Sequence, residues 1–111
     1  MERTDLAIIG AGPAGMSAAI FAKNDSLDFK IMESKEEGWF PKVSIDSHYQ
    51  VDNYLGFNNI SGTELIKIFK EHLKNKGIPV EKGEVVNIIK SGQEFLIESK
   101  GLTQNKIVNF K

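Results

Sequence analysis

Gly10, Gly12 and Gly15 stand between a short apolar run, Leu6-Ala-Ile-Ile9, and an alanine-rich one, Pro13 to Lys23. Glycines at this spacing let a chain pass close around a phosphate. Gly10 makes the tight turn out of a strand, and Gly12 has no Cβ to hold the backbone away from a pyrophosphate. Gly15 lets the next helix lie close to the strand. Pro13 fits the first helical turn, where its missing N–H costs nothing and its fixed φ is already helical. The free N–H groups at that helix start then face an anion. About 20 positions beyond the glycines a second apolar run, Phe29-Lys-Ile-Met32, ends at Glu33, where a carboxylate suits the two hydroxyls of a ribose. A glycine triplet alone is weak evidence, and an isolated Glu is more often a solvated strand end. In the order strand, glycines, helix, strand, acid, these residues read as a dinucleotide cradle.

The elements that must position the cradle are legible in the same stretch. Leu6 to Ile9 suits a strand buried on both faces. Ala14, Ala18, Ala19 and Ala22, with Met16, Ile20 and Phe21 beside them, suit a helix packed tightly on a sheet. From Ser34 to Ile60 the periodicity lapses, and Trp39, Phe40, Tyr49, Tyr54 and Phe57 are scattered through a segment long enough to suggest a functional loop. Ser61-Gly-Thr-Glu64 is then a capping box, with Ser61 as N-cap and Glu64 reaching back. Leu65, Ile66, Phe69 and Leu73 form an apolar stripe at helical spacing, while Lys67, Lys70, Glu71 and Lys74 face water. Gly77 suits the position just past the helix end, with Pro79 beyond it.

An extended segment begins over Ile78 to Val80. Val85 to Ile89, Phe95 to Ile97 and Ile107 to Phe110 read as further strands, turning at Ser91-Gly92 and near Lys100-Gly101. The fold class is α/β: a Rossmann-like parallel sheet with a β-α-β glycine-turn unit and an added antiparallel β-meander.

At 111 residues the chain is one domain at most, and its net charge of −1 with interspersed signs suggests neither nucleic acid nor a membrane surface as partner. It has no cysteine, hence no disulfide, redox dithiol or thiolate metal site. Without a signal-peptide pattern or an apolar run of membrane-spanning length, the expected location is the cytoplasm. His48 and His72 have no acid–nucleophile constellation beside them and read as surface residues. Asp46 and Asp52 form no metal-ligand pattern with His48. Trp39, Phe40 and Tyr54 could flank a flat ring or simply pack a long loop. No residue stands out as an acid, base or nucleophile, so no catalytic residue is assigned.

The phrases DLAIIGAGPAGMSAAIFAK, VDNYLGF and GTELIKIFKEHLKNKGI, with Glu33 between the first two, resemble the low-molecular-weight thioredoxin reductases. More broadly they resemble the FAD domain of flavoproteins with two dinucleotide-binding domains. The resemblance runs from Asp5 to Phe110, and DNYLGF followed by SGTEL is its narrowest part. It implies that Gly10, Gly12 and Gly15, with Pro13 and Ala14, line the FAD pyrophosphate and that Glu33 binds the adenosine ribose. It implies Asn53 near the flavin ring and Val85 bordering the adenine.

The sequence departs from the family at Ser34-Lys-Glu-Glu-Gly38-Trp39-Phe40-Pro41, where a glycine pair and a glutamine are usual, and at Leu55, which replaces a proline before Gly56. The expected Ala-Thr-Gly strand, the nicotinamide domain with its Cys-x-x-Cys and the final Gly-Asp motif are not in this sequence. Residues 1–111 are thus expected to be the N-terminal part of an FAD-binding domain, with no second domain in this chain. The implied chemistry is that of an oxidoreductase, with NADPH or NADH as co-substrate only in a complete enzyme. The electron acceptor would be a thioredoxin-like disulfide or a ferredoxin. A second chain completing the fold, or a homodimer, is a possible partner. The alternatives are a ferredoxin–NADP reductase-like segment and a stand-alone adenine-dinucleotide-binding subunit or regulator.

Overall fold

A computed structural model describes residues 2–34, 50–100 and the strand 106–110. Its centre is a three-stranded parallel sheet of β2 (Leu6–Ile9), β3 (Phe29–Glu33) and β6 (Glu81–Lys82), with β3 in the middle. Leu6 lies opposite Phe29 and Ile9 opposite Met32, so β2 and β3 pair along the whole of β2. Parallel neighbours need a crossover, supplied by α1 (Pro13–Asn24) between β2 and β3 and by α2 (Gly62–Asn75) before β6. Against this sheet lies the antiparallel meander β7 (Glu84–Ser91), β8 (Glu94–Lys100) and β9 (Lys106–Phe110), with the two-residue β1 (Glu2–Arg3) parallel to β9 at its far edge. A small antiparallel pair, β4 (Gln50–Val51) and β5 (Ile60–Ser61), precedes α2.

Alternation along β2 and β3 sorts the side chains into two cores. Leu6, Ile8, Phe29 and Ile31 point to the helices, where they meet Met16 and Ala19 of α1 and Ile66 and Leu73 of α2. Ala7 and Met32 point the other way and meet Val85 and Ile97 of the meander. The molecule is therefore three layers, with the parallel sheet buried between helices and meander, which is why β3 reads as an almost unbroken apolar run.

Two expectations need correction. Ala14, Ala18 and Phe21 are exposed, Phe21 by 71%. These three positions are spaced four and three residues apart and form a stripe of their own, while Met16, Ala19 and Ala22 make the buried one. In β7 only Val85 packs on the core: this strand is the sheet's edge, and Val86, Ile88 and Ile89 remain exposed.

Both helices end in the same way. Gly77 has φ +70, and the N–H groups of Gly77 and Ile78 donate to the carbonyls of Lys74 and Leu73, a Schellman motif closed by Ile78 packing in the core with Leu73. At the end of α1, Ser26 takes the left-handed place at φ 58, and Leu27 donates back to Ala22.

The two sheets are tied by charge as well as packing. Lys30 of β3 donates to Glu81 of β6 at 3.1 Å and pairs with Glu2 of β1 at 2.8 Å. The hydrogen bond with Glu2 is the main reason the Lys30 ammonium pKa is raised above its ordinary 10.5; burial opposes this and Glu81 adds to it. A raised folded-state value means the contribution to stability is whole below 10.5 and is lost as pH rises through the folded value. We expect Lys30→Met to be less stable than wild type at neutral pH, with the gap narrowing in alkali. Urea midpoints of both proteins at about pH 8 and about pH 11 measure this, and a gap constant with pH would show that the two ion pairs are not the cause.

Candidate dinucleotide-binding site

β2 ends at Ile9, and Gly10, at φ +103, turns the chain through a backbone conformation that favours glycine. The Gly10 N–H still donates to the Met32 carbonyl at 2.7 Å, so the ladder between the strands continues one residue into the turn. The N–H of Ala11, a fully buried residue, donates to Glu33 Oε2 at 3.0 Å. Gly12 is the N-cap of α1, with extended dihedrals of φ −78 and ψ −173, and its carbonyl accepts from Met16 N–H at 2.9 Å. Any residue adopts those angles, so a need for glycine at 12 comes from what approaches the backbone and not from strain.

Gly15 is required by the fold itself. A Cβ there would collide with the Gly10 carbonyl oxygen and would sit 3.0 Å from the Gly10 carbonyl carbon and 3.4 Å from Ile8 Cγ2. The helix thus starts directly over the end of β2.

The two helix starts differ in a way that matters for anions. At α2, Ser61 Oγ accepts from Glu64 N–H at 3.1 Å, and Glu64 places an acid in the first turn. At α1 no side chain caps the start and no acid lies in the first turn. Among the described residues, then, the first turn of α1 offers its N–H groups and the positive end of its dipole without a capping side chain or an acid of its own.

Glu33, at the end of β3, faces this turn. Besides Ala11, it accepts at Oε1 from the Ser34 N–H at 2.8 Å and the Ser34 hydroxyl at 3.3 Å. Its own carbonyl accepts from Gly83 N–H at 3.0 Å, which brings the β6–β7 connection alongside. Val85, two residues on, packs on the Met32–Ile97 cluster at the meander side of the same strand.

Of the residues expected in a site, Gly10, Gly12, Pro13, Ala14, Gly15 and Glu33 are thus gathered around one turn, with Val85 on the neighbouring strand. Asn53 stands apart. It is exposed in the connection between β4 and β5, and among the described residues no hydrogen bond ties it to the turn. The adjacent Tyr54 ring packs on Phe69 and Phe57, with centroids 5.5 and 6.2 Å away, and shares with Pro13 the wall of a groove of about 290 Å³ between α1 and α2. Trp39, Phe40, Asp46, His48 and the departure from the family pattern over residues 35–41 lie outside the described residues. Among the described residues no group of three acidic or histidine side chains could hold a metal, and no helix is long and apolar enough to cross a membrane.

Three residues of the site were not singled out in the sequence. Ala11 is an ordinary residue between two glycines, and its part is played by its backbone. Ser34 carried the one available signal, a hydroxyl directly after the strand-ending acid. Gly83 carried none.

A parallel strand pair joined through a glycine turn and a helix, with the second strand's acid hydrogen-bonded to the turn, defines a Rossmann-like fold of the dinucleotide-binding type. Within that class the chain belongs to the pyridine nucleotide-disulphide oxidoreductase family, whose pattern matches residues 4–98. It is 42% identical over 79 residues to the thioredoxin reductase of Ureaplasma parvum, covering 71% of this chain and 24% of that protein. With the thioredoxin reductase of Bacillus subtilis it shares 33% over 102 residues, 92% of this chain and 31% of the other. The crystal structure of a ferredoxin-flavin thioredoxin reductase from Clostridium acetobutylicum superposes with a TM-score of 0.84 at 37% identity, covering 99% of this chain and 36% of that one. The chain therefore spans between about a quarter and just over a third of the length of these proteins. The thioredoxin reductase-like character expected from the sequence holds.

Gly15→Ala should destabilise the protein by about 3 kcal/mol, because backbone and not a flexible side chain must give way to the new methyl. Chemical denaturation measures it, and a loss below about 0.5 kcal/mol, the level of an ordinary surface substitution, would mean that helix and strand are not held this closely.

Proposed function

We propose that residues 1–111 form the N-terminal part of an FAD-binding domain and hold the ADP half of the cofactor in a thioredoxin reductase-like, NAD(P)H-dependent flavin oxidoreductase. One observation carries the proposal: an uncapped helix start, free of acidic residues in its first turn, opens beside a carboxylate that is itself bonded to the turn at 3.0 Å. That donor set fits the group. Backbone N–H groups suit a pyrophosphate, and a carboxylate within the same turn suits a ribose diol. Membership of the pyridine nucleotide-disulphide oxidoreductase family supports the same ligand class.

In this proposal Gly10, Gly12, Pro13, Ala14 and Gly15 hold the pyrophosphate, Glu33 accepts from the ribose hydroxyls, and Val85 borders the adenine. Asn53 approaches the flavin end. When bound, the flavin supplies the redox chemistry, taking a hydride from the nicotinamide and passing electrons to the acceptor. The chain's own part is to bind and orient. Its low net charge makes backbone amides and the helix dipole, and not a cluster of cations, the means of holding phosphate. A cytoplasmic location belongs to the same proposal.

A second reading concerns the redox partner. The Clostridium acetobutylicum structure is of a ferredoxin-flavin thioredoxin reductase, and its 37% identity over nearly all of this chain favours a ferredoxin as one partner of the complete system. A thioredoxin-like disulfide is the partner that the other relatives suggest.

The ligand is tested by titrating the chain with ADP and with 2′-phospho-ADP. ADP should bind more tightly, because a 2′-phosphate would meet the Glu33 carboxylate. Gly12→Val should abolish binding of both while leaving the circular dichroism spectrum unchanged, since residue 12 has ordinary dihedrals. Undiminished ADP affinity in Gly12→Val would remove the turn from the site.

A further inference from the structure

The carboxylate of Glu33 is engaged before any ligand arrives, and the partners on its two oxygens have a consequence. Oε2 accepts from the N–H of Ala11 in the glycine turn, 22 residues away in sequence, at 3.0 Å. Oε1 accepts from the backbone N–H of Ser34 at 2.8 Å and from its hydroxyl at 3.3 Å. Each oxygen therefore faces a backbone donor that cannot be turned round. We propose that Glu33 is a positioning residue for the phosphate site as well as a ribose acceptor: its carboxylate clasps the glycine turn through Ala11 and presets the turn's shape for the pyrophosphate. The inference rests on the dinucleotide reading above and adds a role that acts on a part of the ligand Glu33 does not touch.

The structural logic is local. Gly10 has φ +103 and is conformationally permissive, so the turn gains little stiffness from its own backbone. The bond from Gly10 N–H to the Met32 carbonyl fixes where the turn begins, and the bond from Gly12 carbonyl to Met16 N–H fixes where the helix takes over. Ala11 lies between the two, and its N–H is held by Glu33 alone among the hydrogen bonds described for it. Ser34, through both its donors, sets the rotation of the carboxylate that does the holding.

The chemistry makes a sharp demand. A carboxylate is acceptor-only on both oxygens, whereas an amide of the same shape has one acceptor oxygen and one NH₂. In Glu33→Gln the NH₂ must face either the Ala11 N–H or the Ser34 N–H, so one backbone donor loses its acceptor and meets another donor. The near-isosteric change should therefore disturb the turn, even for a ligand that has no ribose hydroxyl to offer.

The experiment compares wild type and Glu33→Gln with ADP and with 2′,3′-dideoxy-ADP, and follows amide hydrogen exchange of the ligand-free proteins by NMR. In Glu33→Gln we expect 2′,3′-dideoxy-ADP to bind on the order of tenfold more weakly than in wild type, and ADP to fall by at least as much. Where the NH₂ faces Ala11, the Ala11 amide should exchange on the order of tenfold faster, with Ile31 and Met32 of β3 unchanged. An unchanged affinity for the dideoxy nucleotide in a variant whose Ala11 amide does exchange faster, with ADP alone weakened, would overturn the clasp and leave Glu33 a ribose acceptor only. Should wild type bind neither nucleotide, the dinucleotide reading falls, and the Ala11 exchange rate still decides whether the clasp exists. Should Glu33→Gln fail to fold, or turn its NH₂ to Ser34 and leave Ala11 exchange unchanged, Glu33→Asp serves for both the exchange and the two titrations. It keeps the charge on a side chain one methylene shorter, and unaltered Ala11 exchange in that variant would overturn the proposal.

Discussion

Helix α1 can begin over the end of β2 only because Gly15 presents no side chain to the Gly10 carbonyl, and the geometry of the site follows from that closeness. With the helix axis held against the strand, the turn between them is left three residues, Gly10 to Gly12, in which to reverse direction. Gly10 supplies the left-handed conformation, and Gly12 returns the chain to ordinary dihedrals at the helix start. Among the described residues no side chain caps the first N–H groups of α1. An uncapped helix start is what the proposed pyrophosphate site requires, and here it accompanies the tight packing of a helix on a strand.

The same strand end then collects the remaining parts of the site. β3 lies between β2 and β6, so its last residue is within reach of both connections. The Glu33 side chain reaches back to Ala11 of the first, and the Glu33 carbonyl takes the Gly83 N–H of the second. Beneath them Met32 packs with Ile97 and Val85, and so anchors the meander to the parallel sheet at the end of β3 that carries Glu33. At the opposite end of β3, Lys30 joins Glu2 and Glu81, one from each sheet. The central strand is thus braced at one end by an ion-pair bridge and at the other by backbone hydrogen bonds.

What could be read from the sequence follows from where strong local signals lie. β2, β3 and the ends of α2 were legible because each rests on a pattern that dominates its neighbourhood: an unbroken apolar run, a Ser-x-x-Glu cap, or a glycine followed by Pro79. The buried face of α1 was not, because alanines occupy both its faces and alanine does not tell inside from outside. The two-residue strands β1, β4 and β5 escaped because a pair of residues has no periodicity, and their pairing depends on partners remote in the chain, Glu2 with Val108 for example. At the site, the order of glycines and acid was plain. The bond from Ala11 to Glu33 was not, since a backbone donor leaves no mark in a list of side chains.

That bond also changes how recognition at the site is understood. A carboxylate free to rotate would lose side-chain freedom when it met a ribose, and the loss would weaken binding. The Glu33 carboxylate has already lost that freedom in the folded chain, held by Ala11 on one oxygen and Ser34 on the other. The cost of ordering it therefore falls on folding, where the bond from Ala11 offsets it, and not on the ligand. The same holds for the turn, whose shape is set by contacts among Gly10, Met32, Gly12 and Met16 within the protein. In the proposed function, preorganisation of this kind would favour ligands that place a diol and a pyrophosphate at the spacing these hydrogen bonds set.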